Sequence, residues 1–442
     1  MTAAAQLPEL PLMLAGVPRA VETLLNEAGI PAESLPKVPL LASGSGRFVV
    51  YDSKNARSSA QAGRAAACGL KPVDLREFLP SDDDIDRLAM ENQYGWPMGT
   101  DSALARSCLE KMKAAVEALG GVWVRLSDYP FPYQSAICLA IEHHSEELAD
   151  FRDVAAMLPG RATHFVSSRF RADRLAFLSE AAETEVGWQI LAADCETSIR
   201  STLSHWKTRA ARFAAAKVQP VGLAVKDESL PAPAAGRLQQ LGFSFSCLES
   251  AERACRVESS LQKGAAAWTR FSMRPLPPRE MFVEWVGGHY QSGCPLFLAA
   301  TTGRLDLIQE LVRLSSDAGR CSLMWQTSFR EFSRWWALRR QTRLAVFRTD
   351  TGHALFASGD SGRWPRAVEI WRGSHVAVLP MRQNDLVVPD EGLVYLHSTR
   401  RNPAGCTSAG VDQSTFPAPS PGQALCETSL NRSRLRRKGS PE

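Results

Sequence analysis

Between residues 135 and 166 an apolar run, Ala136 to Ile141, stops abruptly at Glu142-His143-His144. A polar segment of helical period follows, and a second β-type run, Thr163 to Val166, closes the stretch. Leu148, Phe151, Val154, Ala155 and Leu158 recur at spacings of three and four, the stripe of a helix that covers a core, and Gly160 is placed to end it. The stretch thus reads as strand, helix, strand. Two strands joined by a helical crossover are parallel neighbours, and a chain that repeats the unit is left with an open sheet or a barrel. In barrels of this kind the C-terminal ends of the strands line the active site. Glu142, His143 and His144 are therefore candidate site residues.

The alternation continues. Candidate strands are 136–141, 162–166, 187–193, 218–225, 243–247, 295–300 and 321–326, with helices clearest at 196–216, 232–241 and 303–315. The insertion 250–290 is less regular. After the Trp-rich helix 328–341 the period becomes that of strands (RLAVFR, HALFAS, AVEIWR, HVAVLP), with turn signals between them. Upstream, RFVVYD and the Ala-rich segment after it give a strand and a helix, residues 102–118 a second amphipathic helix, and VWVRL (122–126) a strand. The expected organisation is an α/β protein in four parts. Residues 1–130 are an N-terminal α/β unit, 131–341 a β/α barrel, 342–399 a small β-rich appendage and 400–442 a disordered basic tail. Deleting the tail from 402 onward should leave Tm within about a degree or two; a fall of roughly 5 °C would show it docked.

Composition narrows the function classes. Of 442 residues, 45% are apolar and 22% charged, with a net charge of +4 of which residues 401–442 alone supply +3. The rest is near neutral, which argues against a nucleic-acid surface. Ten cysteines are scattered without a CxxC pair, the pattern of reduced buried thiols and not of a zinc cluster or disulfide framework. No basic leader precedes the first apolar patch and no run of about 18 apolar residues occurs, so a cytoplasmic protein with no membrane partner is expected. The strand-turn-helix at 47–70 lacks a Gly-rich phosphate loop. Asp82-Asp83-Asp84 reads as a helix N-terminus or solvated loop, not a metal site. Trp325, Trp335 and Trp336 suit either sugar stacking or, beside Phe329 and Phe332, core packing.

The order of GVWVRLSDYPFPYQSAICLAIEHH, GRATHFV, EVGWQILAADCETSIRSTLSHWKTR, VQPVGLAV, GCPLFLAATTGRL and MWQTSFREFSRWW resembles a bacterial branch of the polysaccharide deacetylase superfamily, the NodB homology domain. The resemblance spans about 120–340. It implies a distorted (β/α)7 barrel and metal-dependent hydrolysis of N-acetyl groups on sugars. In that chemistry a carboxylate and two histidines hold a divalent metal such as zinc, and a second carboxylate is the base. On this chain the resemblance puts Glu142 at the base position and His143 or His144 at a metal-ligand position. The family's His-x-x-x-His falls on Gln189 and Ala193, with Asp194 the nearest substitute ligand. Leu223-Ala224-Val225-Lys226 stands where an Arg-x-Pro segment is expected, and no histidine lies near Leu323–Gln326.

Three readings follow. One is a catalytically degenerate deacetylase-like protein that acts in glycan binding or assembly, with Gln189 and Trp325 as substrate contacts and no cofactor. Another is an active hydrolase with a rebuilt, weakly metal-binding site of Glu142, His144 and Asp194. The third is an α/β binding module unrelated to sugars.

Overall fold

The computed structural model describes residues 12–35, 48–93, 103–143, 161–167, 185–190, 210–226, 242–249, 256–260, 268–301, 323–349, 352–359, 363–372, 375–381 and 385–389. It also describes 157, 170, 208, 238–240, 306, 308–310 and 313. The tail, His144 and Asp194 lie outside this set, as does most of the helices expected at 145–158, 196–216, 232–241 and 303–315. No described helix is long and apolar enough to cross a membrane.

The chain begins with a four-stranded parallel sheet. Its elements are β1 (Leu12–Ala15), α1 (Arg19–Glu27), β2 (Ala32–Ser34), β3 (Phe48–Tyr51), α2 (Ala56–Ala67) and β4 (Lys71–Asp74), with strand order β2-β1-β3-β4. In sheets of this type ligands sit where the strand order reverses, here between the ends of β1 and β3. The chain's own polar groups meet near that position. Ser58 donates from Oγ to the Ala15 carbonyl, and Asp52 takes the Arg76 guanidinium at 2.7 and 3.0 Å. α3 (Asp82–Gln93) starts on the three aspartates, where their charge meets the helix N-terminus, and α4 (Ala103–Ala118) follows.

β5 (Trp123–Leu126) is the strand expected from VWVRL, but its partner lies far along the chain, in the C-terminal sheets. Next come β6 (Ser135–His143), β7 (Ala162–Ser167), β8 (Glu185–Ile190), β9 (Gly222–Lys226), β10 (Phe245–Glu249), β11 (Arg256–Ser260), β12 (Trp268–Pro275), α5 (Arg279–Ser292), β13 (Leu296–Thr301), β14 (Met324–Thr327) and α6 (Phe329–Gln341). Seven of these strands close a parallel barrel in the order β6-β7-β8-β9-β10-β12-β13 and back to β6. The barrel expected from the alternation is therefore present, with two corrections. The seventh stave is β12, from the stretch read as irregular, because RFSMR (270–274) alternates polar with apolar residues and lacks the continuous apolar run of a parallel strand. The candidate strand at 321–326 is β14, which pairs only along Ser135–Cys138 of β6, beside the stretch that β7 leaves unpaired.

Register assigns the two faces of the barrel. Glu142 is level with Phe165 and Phe165 with Gly187, while Ser167 is level with Gln189, Gln189 with Ala224 and Ala224 with Cys247. This face points inward: a Cβ on Gly187 would lie 2.3 Å from the Phe165 ring, and one on Gly222 2.2 Å from Phe245. Ring and glycine share one layer, large against small. Gly187→Ala is expected to cost about 1–3 kcal/mol, because the buried ring has nowhere to move; a urea midpoint equal to that of the parent would contradict this packing.

α6 stoppers the N-terminal end. The Phe329 ring lies 5.0 Å from Phe271 and 5.6 Å from Phe297, centroid to centroid. Ser328 caps the helix on Glu331 N, and the half-buried Glu185 accepts from Ser328 Oγ at 2.6 Å and Arg330 N at 3.0 Å. Burial raises the Glu185 pKa against the opposing pull of these bonds.

Beyond α6, β15 (Leu344–Thr349), β16 (Gly352–Ala357), β17 (Ala367–Arg372), β18 (His375–Pro380) and β19 (Asp385–Pro389) form two antiparallel sheets, β15-β16-β19 and β18-β17-β5. Their inner residues, among them Val124, Val346, Leu355 and Ile370, share one apolar cluster.

Candidate functional site at the C-terminal mouth of the barrel

Strand alternation separates the candidate residues. Glu142 projects inward next to the end of β6, and Gln189 projects inward next to the end of β8, so two next-neighbour strands bring a carboxylate and a carboxamide to the same end of the interior. Both side chains are buried, at 2% and 1% exposure. Neither polar atom of Gln189 has a hydrogen-bond partner. The charge of Glu142 reaches Cys247, whose thiol is pushed well above its ordinary pKa by burial first and by Cys138, Glu185 and Glu142 after it. That thiol stays protonated and is a poor nucleophile.

His143 leaves β6 on the opposite face. It shares that face with His164 and Trp188, and Trp188 packs against Phe213 and Phe243 outside the barrel. His143 Nε2 lies 3.0 Å from His164 Nδ1, and the two rings stack 5.3 Å apart. Burial, with His143 beside it, lowers the His164 pKa to about 3. The structure thus does not bring His143 to Glu142: one residue along a strand reverses the face, and a single ion cannot be ligated from both sides of a sheet. His144 and Asp194, the other metal candidates, lie outside the described residues. Among the described residues no three of His, Cys, Asp and Glu gather as a metal-binding group. His164 was not singled out in the sequence, although a lone imidazole inside the apolar run THFV was the available signal.

Trp325 is not at this mouth either. β14 pairs with the first half of β6, which places Trp325 toward the N-terminal end, 1% exposed and packed by Tyr133, Phe332, Trp335 and Trp364. Of the two residues read as substrate contacts, Gln189 stands at the same end of the barrel as Glu142 and Trp325 stands at the other.

No family model and no curated protein matches this sequence. Among solved structures, a 4-α-glucanotransferase from Thermococcus litoralis aligns at 10% identity with a TM-score of 0.31, covering 45% of this chain and 38% of that one. A protein from Bordetella bronchiseptica, assigned as a polysaccharide deacetylase involved in O-antigen biosynthesis, aligns at 12% identity with a TM-score of 0.28. It covers 47% of this chain and 90% of its own. Scores this low leave the reading of the site to the chain's own residues.

Proposed function

We propose that this chain is a deacetylase-like barrel protein that binds a glycan at its C-terminal mouth and does not hydrolyse it. The observation that carries the reading is the convergence of Glu142 and Gln189 on one interior face at that end. The order of segments from 120 to 340 supports the sugar class through the family it resembles. Ligand arithmetic supports the loss of hydrolysis. A catalytic zinc needs three protein donors and an open position, and where the family has two histidines this chain has Gln189 and Ala193. Glu142 is then a binding carboxylate at the position of the family's base. In this reading the barrel of 131–341 carries the site, and 1–130 and 342–399 flank it.

The rival is a hydrolase rebuilt on Glu142, His144 and Asp194, and the two differ in metal. After purification without chelators, elemental analysis should find divalent metal well below one ion per chain. Calorimetric titration in chelator with neutral and N-acetylated oligosaccharides should show binding that Glu142→Gln weakens. Stoichiometric metal that disappears in Asp194→Ala would favour the hydrolase instead.

A further inference from the structure

Gln189 presents one acceptor and two donors, and the fold satisfies none of them. A buried carboxamide left unpaired opposes folding, so a guest that completes it gains what the fold leaves unmet. Its surroundings indicate what kind of guest. On the interior face Gln189 stands between Ser167 of β7, a hydroxyl, and Ala224 of β9, a methyl group. One layer below, the rings of Phe165 and Phe245 cover Gly187 and Gly222 and make an apolar floor. Glu142 closes the other side with acceptors only when ionised.

We propose that Glu142 and Gln189 together hold two adjacent hydroxyls of a neutral sugar ring, so that recognition at this mouth runs through a vicinal diol and needs neither an N-acetyl group nor a metal. This rests on the glycan reading above and specifies its ligand. One hydroxyl donates to the Glu142 carboxylate. Its neighbour accepts from Gln189 Nε2 and donates to Oε1, while the ring's C–H face lies toward the Phe165 floor. An acetamido group in the same place offers one donor and one acceptor but sets a methyl group against the carboxylate.

Cellohexaose and chitohexaose differ only in carrying a hydroxyl or an acetamido group at C2, and they decide the question. The full chain, titrated calorimetrically with each in EDTA, should bind cellohexaose about tenfold or more tighter than chitohexaose. Gln189→Leu should lose about tenfold or more of the cellohexaose affinity, the worth of a lost hydrogen-bonded pair. In sugar-free buffer the same variant should melt no lower than the parent, since it discards an unpaired amide. Equal or tighter binding of chitohexaose would overturn the diol while leaving the glycan reading in place. Binding of neither sugar would overturn both. A Gln189→Leu protein that melts lower and keeps its cellohexaose affinity would show that the carboxamide serves the fold alone, and the inference would fall.

Discussion

Replacing Arg339 with leucine is expected to lower the unfolding free energy by about 3–5 kcal/mol, the range for breaking one side of a buried ion pair. Arg339 is 2% exposed on the inner side of α6. Its Nε donates to the Ser127 carbonyl at 3.1 Å, Nη1 to Glu27 O at 2.5 Å, and Nη2 to Ala28 O at 3.2 Å. Nη2 also lies 2.7 Å from Asp128 Oδ1, close enough for an ion pair but not aligned as a hydrogen bond. The planar fork therefore ties the end of α1, the strand exit after β5 and the barrel's stopper helix at one point. Burial pulls the Arg339 pKa down and Asp128 opposes it. Leucine would leave Asp128 and the carbonyls of Glu27, Ala28, Leu126 and Ser127 without this donor, whereas lysine keeps a charge but not the fork and should lose an intermediate amount. Urea unfolding measures both. A loss under about 1 kcal/mol for Arg339→Leu would mean water replaces the guanidinium and the junction is not dry.

The second large effect is acid sensitivity through His164. Its ordinary pKa of 6.5 falls to about 3 in the fold. Below pH 6.5 the unfolded chain therefore takes up a proton that the folded chain refuses. The contribution to stability is whole above 6.5 and is lost as pH falls toward 3, at about 1.4 kcal/mol per pH unit. Glu185 works in the opposite sense. Its raised pKa gives stability that is full below 4.5 and is lost as pH rises through the folded value. The readout is thus the difference between parent and His164→Asn: from pH 6.5 to 4.5 the parent should lose about 2–3 kcal/mol more than the variant in urea titrations. Parallel curves would show that the imidazole pair accepts a proton in the fold.

What could be read from the sequence divides by range. The run Ala136–Ile141 and the segment Phe329–Gln341 have the composition of a buried strand and an amphipathic helix, and both form as such. Glu142 was legible as the residue at the end of the first run, whereas Gln189 came from the family resemblance, since the run was read as 187–193 and β8 ends at Ile190. β12 was not, because its side chains alternate in polarity and only closure against β10 and β13 makes it a stave. The partner of β5 was not legible either: Arg125 meets Glu369 at 2.8 Å across most of the chain, and no local pattern encodes that pairing. The separation of His143 from Glu142 follows from strand alternation alone. The apolar run stops at Ile141, but β6 continues through His143, so Glu142 and His143 fall under the alternation of the strand.

The central claim is that this mouth binds sugar without cutting it, and acetate release tests it most directly. Incubated with chitohexaose or acetylated peptidoglycan fragments, with and without added zinc, the protein should release no acetate above the buffer rate. Release by the parent that vanishes in Glu142→Gln would contradict the account and show a working, rebuilt hydrolase.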